Sequence, residues 1–334
     1  FDTDGFTVRT DPSVNGNGNG IVAWQWAAGG AAPTQTYRVV VVSDSGNKYR
    51  FRNSANNATF AQSAVTLDLQ EGGTYTFDVS DSSVSSHPFV IGTSANSNEY
   101  STGVTYKLDG VTKTYSEYTS GFAAATSRQL IITVAASAPT LYYWCSVHSG
   151  MGGQINTNSE FGSTNFDGSI LSTVTANTTS GFSIVTYTGN GSAATIGHGL
   201  NGKPGWIIVK SRSNAVDWQV YVDKFGNDDE GLILNSNSAK FTSSNYWNNG
   251  ATSSVFGVSS NTGVGANSYT YVAYCFEEVK GFSKFGSYAA NGNADGQFTY
   301  TGFRPSFLMI KCTSHNGEWF MVDTTREPSN PAGT

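Results

Sequence analysis

The residues best suited to chemistry lie in one short stretch, TLYYWCSVHSGMGGQINT (140–157). Cys145, His148 and Met151 stand there in the order C-x-x-H-x-x-M, after an aromatic run and before Gly152-Gly153. A second histidine, His87, sits upstream in SSVSSHPFVIG. A thiolate, two imidazoles and a thioether form a soft, mixed ligand set that suits copper, with methionine as a long, weak axial ligand. The spacing predicts a strand ending at the cysteine and a short loop turning back over the metal. The glycine pair then lets the chain re-enter the sheet without the steric cost of a Cβ. The remaining ligand must come from elsewhere in the sheet, where His87 opens an apolar run.

Those elements lie in a chain of all-β character. Aromatic and β-branched residues come in short runs, broken by Gly, Asn and Ser every 8–12 residues or so, and no long stretch keeps a helical period. Only 13% of the 334 residues are charged, yet 38% are hydrophobic, enough for packed cores. The length predicts two or three domains of roughly 100–150 residues. The net charge of −6 leaves no basic footprint, which argues against nucleic-acid binding. No run of about 18 apolar residues predicts a membrane span. No export signal is visible, and the sequence opens on Phe1. The three cysteines do not make a disulfide framework; Cys275 and Cys312 read as two buried free thiols, although they could pair.

Eight strands are expected between 36 and 158: 37–43, 48–52, 58–69, 74–79, 87–92, 104–108, 128–135 and 141–147. Asp109-Gly110 marks a hairpin within 103–121. The C-x-x-H-x-x-M loop with the upstream His87 resembles the cupredoxin family, in its short-loop, amicyanin-like form. The resemblance covers residues 36–158 and implies a Greek-key sandwich with Cys145 as thiolate ligand, His87 and His148 as imidazole ligands and Met151 as axial ligand. The chain departs from the family at Ser86, where an asparagine often braces the cysteine loop, and at Pro88. About 58 residues separate His87 from Cys145, so an extra hairpin is expected between them.

After a polar linker (158–170), a repeat begins. GFSIVTYTGNG…KPGWIIVK…WQVYVD (181–223) returns as GFSKFGSYAANG…RPSFLMIK…WFMVD (281–323). Pro204 matches Pro305, Trp206 matches Phe307, Lys210 matches Lys311, Trp218 matches Trp319, and Asp223 matches Asp323. The second half of the unit, ending SNTGVGANSYTYVAYCF (260–276), is echoed by DPSVNGNGNGIVAWQW (11–26), with Val272-Ala273-Tyr274 facing Val22-Ala23-Trp24. Residues 1–30 are therefore expected to be the closing half of a module, with strands near Gly5–Arg9 and Ile21–Trp26. Residues 165–280 are expected to be a complete module, and 281–334 the opening half of another. Three arrangements fit: the chain is a piece of a longer repeat protein, or 1–30 completes 281–334 within the chain, or it does so in a neighbouring chain by strand addition.

The repeat pattern is similar to modules of long structural proteins from marine tailed bacteriophages, notably cyanophages. The resemblance covers 1–30 and about 165–330. It implies a non-enzymatic virion protein of a tail fibre, knob or other appendage, associating with itself and other virion proteins and contacting a host-surface glycan or receptor. A copper electron carrier and a carbohydrate-binding adhesin are the alternatives. The repeats offer little chemistry of their own. His198 and His315 read as hydrogen-bonded core or turn residues, the tryptophans as mostly core, and Asp228-Asp229-Glu230 as a solvated turn rather than a calcium site. No Ser-His-Asp or paired-carboxylate arrangement stands out.

Overall fold

The computed structural model describes residues 6–8, 10–15, 17, 21, 23–29, 32–158, 162–293 and 295–326. It is an all-β protein of several sandwich units, with two short α-helices among the described residues, α1 (Pro12–Asn15) and α2 (Tyr115–Gly121).

The first unit holds eleven strands: β1 (Thr34–Ser43), β2 (Asn47–Phe51), β3 (Leu67–Gln70), β4 (Thr74–Asp78), β5 (Phe89–Ser94), β6 (Ser97–Glu99), β7 (Val104–Leu108), β8 (Val111–Lys113), β9 (Arg128–Thr133), β10 (Leu141–Cys145) and β11 (Gly153–Asn158). They form two sheets, ordered β2-β1-β4-β9-β7-β8 and β3-β11-β10-β5-β6. The pairs β1/β4 and β3/β11 are parallel, while the other ladders are antiparallel. Period-two burial is plain in β4, β9 and β10, whose alternate residues enter one aromatic core. Phe77, Phe89 and Tyr143 stack there, with ring centroids 4.9 and 5.4 Å apart in succession.

Three expectations change here. The run 58–69 is not one strand. Phe60 N–H bonds to Phe51 and Ala64 N–H to Tyr49, so the chain first follows β2, then breaks at Ala64 (φ 51°) and enters the other sheet as β3. The Asp109-Gly110 hairpin forms as expected, but its second arm continues into α2, whose Thr114 and Glu117 make a capping box. The polar stretch 158–170 is no loose linker. Phe166 stacks on Phe51 at 4.7 Å, Ser163 Oγ lies 2.6 Å from Tyr75 Oη, and Thr164 Oγ1 accepts from Asp68 N–H at 2.7 Å.

The second unit comprises β12 (Ser163–Asn165), β13 (Ser172–Asn177), β14 (Phe182–Thr188), β15 (Ala194–Gly197), β16 (Pro204–Ser211), β17 (Gln219–Val222), β18 (Glu230–Ile233), β19 (Phe241–Thr242), β20 (Val255–Val258) and β21 (Thr270–Glu277). Eight of these make one sheet, β12-β13-β14-β21-β16-β17-β18-β19, and β15 pairs with β20 in a second. The last strand, β21, lies mid-sheet between β14 and β16. It is the strand that closes the unit.

The chain ends its described part on a hairpin, β22 (Phe307–Lys311) and β23 (Trp319–Asp323), which pairs with nothing else among the described residues. This hairpin repeats β16/β17 residue for residue. Met309 faces Met321 as Ile208 faces Val220, and Lys311 Nζ donates to the Gly317 carbonyl as Lys210 Nζ does to that of Val216. One match shifts: Asp323 faces Phe307 as Val222 faces Trp206, so it corresponds to Val222 rather than Asp223. The two strands expected in 1–30 are not found among its described residues; part of that span, including Gly5, Arg9 and Val22, lies outside them.

Candidate metal centre

Two strand ends and one loop build the site. A 3-10 turn (Ser82–Val84), capped by Asp81, leads to His87, whose N–H bonds to the Val84 carbonyl at 2.8 Å. Cys145 closes β10 opposite Phe89 of β5, and Ser146 N–H extends the ladder to the Pro88 carbonyl. Both residues are thereby fixed by sheet pairing.

The loop from Cys145 to β11 is held at several points. Gly150 adopts φ 72°; its N–H bonds to Asn96 Oδ1 at 3.0 Å and its carbonyl accepts from Lys48 Nζ. The Met151 carbonyl accepts from Tyr49 N–H at 2.9 Å. A Cβ on Gly152 would run into the Tyr143 carbonyl, and one on Gly153 into that of Ala64. The glycine pair is therefore needed for close backbone approach, as its place after the methionine predicts.

His87, Cys145 and His148 converge. His87 Nδ1 and His148 Nδ1 are 3.0 Å apart, and Cys145 Sγ lies 3.9 Å from the first and 3.6 Å from the second. An ion with bonds of about 2.0–2.3 Å holds its nitrogen and sulfur ligands about 3.3–3.8 Å apart. The Cys145–His148 separation lies inside that range and the other two lie just outside it, so the three donors stand close to the spacing of one ion's ligands. They are the group of His, Cys, Asp and Glu side chains able to hold a metal among the described residues. Cys145 and His87 are buried and His148 is exposed. Met151, the expected axial ligand, is 1% exposed and packs in the same core.

Burial lowers the pKa of His87, and the neighbouring His148 lowers it further. Both effects keep its ring neutral, the form that binds a metal. Tyr49 is the group beneath the site: its hydroxyl donates to the His87 carbonyl at 2.8 Å, and burial, with Cys145 beside it, raises its pKa well above the usual value. Asn47 sits 3.4 Å from His87 Nε2, the nitrogen turned away from the cluster. Sequence reasoning misses Asn47, Lys48 and Tyr49, because only the pairing of β2 brings three successive residues to the site. Nothing in their local pattern marks them.

The other candidates settle as structural. His198 is fully buried; its Nδ1 accepts from Leu200 N–H at 3.1 Å and its Nε2 lies 3.2 Å from the Thr252 carbonyl. His315 bonds to Ser314 in an exposed turn. In the acidic turn, Glu230 pairs with Lys240 and Asp228 accepts from the Tyr221 hydroxyl at 3.3 Å. Cys275 is buried, with its thiol pKa pushed up by that burial, but Cys312 is exposed, contrary to expectation; both are free. No helix of the described residues is long and apolar enough to cross a membrane.

Fold and site together define an all-β, multi-unit sandwich protein with a two-histidine, one-cysteine cluster in its first unit. The chain belongs to the family described as a domain of unknown function, DUF7483, whose model matches residues 154–334. That span takes in the repeat and the final hairpin, and leaves His87, Cys145 and His148 outside it. No curated protein and no solved structure matches the chain.

Proposed function

We propose that this chain is a non-enzymatic structural protein of a bacteriophage virion, part of a tail fibre, knob or other appendage, whose cupredoxin-like domain holds one copper ion. The observation that carries the copper reading is the convergence of three donor atoms, all within 4.8 Å of one another, with His87 brought by the fold to the loop that holds Cys145 and His148. The strand orders of the two sheets and their two parallel pairs support a Greek-key sandwich of the cupredoxin kind. The assembly reading draws on the repeat, on the low share of charge and on the exposed apolar face of the last hairpin.

Copper bound here would supply a one-electron couple in a thiolate environment. The chain's own residues set the conditions. β5 and β10 fix His87 and Cys145, the Lys48, Asn96 and Tyr49 contacts fix the loop, and the aromatic core beneath excludes water. A bound ion stabilises the folded state by mass action, which gives a particle protein a use for the site without any redox partner. Mass spectrometry of purified virions is expected to recover the chain at structural stoichiometry; recovery only from soluble cell extract would refute the virion assignment.

One observation favours an electron-transfer reading as the second choice. His148 is exposed beside the buried Cys145, so a ligand edge reaches solvent. A reversible copper potential that a soluble partner can drain would support that reading over a purely structural ion.

A further inference from the structure

The last hairpin is an unfinished module. In the complete unit, β16 is flanked by β17 and by the closing strand β21, and its core-facing Ile207 and Val209 are fully buried. In the hairpin, β22 has β23 on one side and, among the described residues, no strand on the other. Leu308, which corresponds to Ile207, is 43% exposed, and Phe320, which corresponds to the 3%-exposed Gln219, is 67% exposed. An open apolar edge of this kind invites pairing.

The repeat says which strand belongs there. Residues 272–276 of β21 pair with β16 so that Phe276 faces Trp206, Cys275 faces Ile207, Tyr274 faces Ile208 and Ala273 faces Val209. The sequence match of β21 to the N-terminal segment, transferred to β22, sets Trp26 opposite Phe307, Gln25 opposite Leu308, Trp24 opposite Met309 and Ala23 opposite Ile310. The structure makes the first of these contacts. The Trp26 ring sits edge-on to both Phe307 at 6.0 Å and Phe276 of β21 at 5.8 Å, and Trp24 meets Phe307 at 5.3 Å. Arg326, just beyond β23, lies over the Trp24 ring at 5.1 Å.

We propose that residues 23–26 are the closing strand of the C-terminal module, seated on the open edge of β22 of the same chain in this register. The two ends of the chain then build one module, and the metal-binding and complete repeat units are insertions within it. A second copy could offer the same segment, but proximity decides against it. Ser180 Oγ donates to the Ala27 carbonyl at 3.0 Å and Asn177 Nδ2 to that of Gly29 at 3.3 Å, which anchors the segment one residue from Trp26. A strand tethered so closely acts at an effective concentration in the millimolar range, roughly a thousandfold above that of a second copy at micromolar protein.

The test is a disulfide trap in the full chain, with Cys312→Ser removing the exposed native thiol. Gln25 and Leu308 are both exposed, so Gln25→Cys with Leu308→Cys places thiols at register partners without disturbing a core. Mild oxidation is expected to give a monomer with an internal disulfide, at least tenfold faster than the off-register pair Gln25→Cys with Phe320→Cys. Disulfide-linked dimers or ladders would show that the strand comes from a second copy and would overturn the proposal. So would no crosslink, or equal rates for the two pairs, while the copper-binding unit remains folded by circular dichroism.

Discussion

Mild acid is expected to destabilise the repeat unit through His198. This ring is fully buried, accepts from Leu200 N–H at Nδ1 and has the Thr252 carbonyl beside Nε2, so a neutral ring with its proton on Nε2 satisfies both partners. Burial depresses its pKa from 6.5 to about 4, against smaller opposing effects of the Thr252 carbonyl and Asp167. Below pH 6.5 the unfolded chain takes up a proton that the folded chain refuses until about pH 4. Stability from this group is therefore complete above 6.5 and lost as the pH falls towards 4. Every tenfold drop in proton affinity is worth about 1.4 kcal/mol, so the loss is on the order of 3 kcal/mol, a large share of the roughly 5–15 kcal/mol of a domain. The assay is hydrogen exchange of the β15 and β20 amides, followed by mass spectrometry from pH 7 to 4 after correction for intrinsic exchange rates. His198→Gln keeps an acceptor and a donor but cannot titrate, and its pH slope should be shallower by that amount. Carboxylates titrate in both proteins and cancel in the comparison. Equal slopes, or a His198 pKa near 6.5 by NMR, would show that this ring does not set the acid response of the unit.

Two further perturbations probe the first unit. Gly152→Ala would force the ligand loop away from the Tyr143 carbonyl, and copper affinity measured by competitive titration should fall at least tenfold while the rest of the sandwich stays folded. Arg128 is 3% exposed and donates to the carbonyls of Val79, Ser80, Asp81 and Ala125; Arg128→Leu leaves these without their donor and should cost about 3 kcal/mol or more in denaturant unfolding.

What could be read from residue order alone was mostly local. Cys145, His148 and Met151 lie within one loop, and their types and spacing announce a ligand set before any fold is known. His87 was legible because few histidines compete with it. The β-strands showed through their alternation, and the repeat set 281–323 in step with 181–223, where β22/β23 forms in the register of β16/β17. The failures came from long-range pairing. A strand that follows one sheet and then changes to the other, as at Ala64, keeps a β-like pattern throughout, so 58–69 read as continuous. Residues 158–170 looked like a linker because their contacts, Phe166 on Phe51 and Ser163 on Tyr75, span about a hundred residues. The strands expected in 1–30 are not formed by the described residues of that span, and local pattern cannot supply the edge on which a closing strand would pair. α2 did carry a signal, Thr114-x-x-Glu117, but the helix is short and lies in a run of threonine and tyrosine that favours strands.

The most direct test of the metal centre is the copper content and visible spectrum of the purified full chain, with Cys145→Ser alongside. One equivalent of copper and an intense thiolate charge-transfer band are expected, both lost in the variant, with His87→Ala abolishing the band as well. Failure to bind copper after reconstitution, or binding that survives the loss of Cys145 unchanged, would contradict the copper assignment.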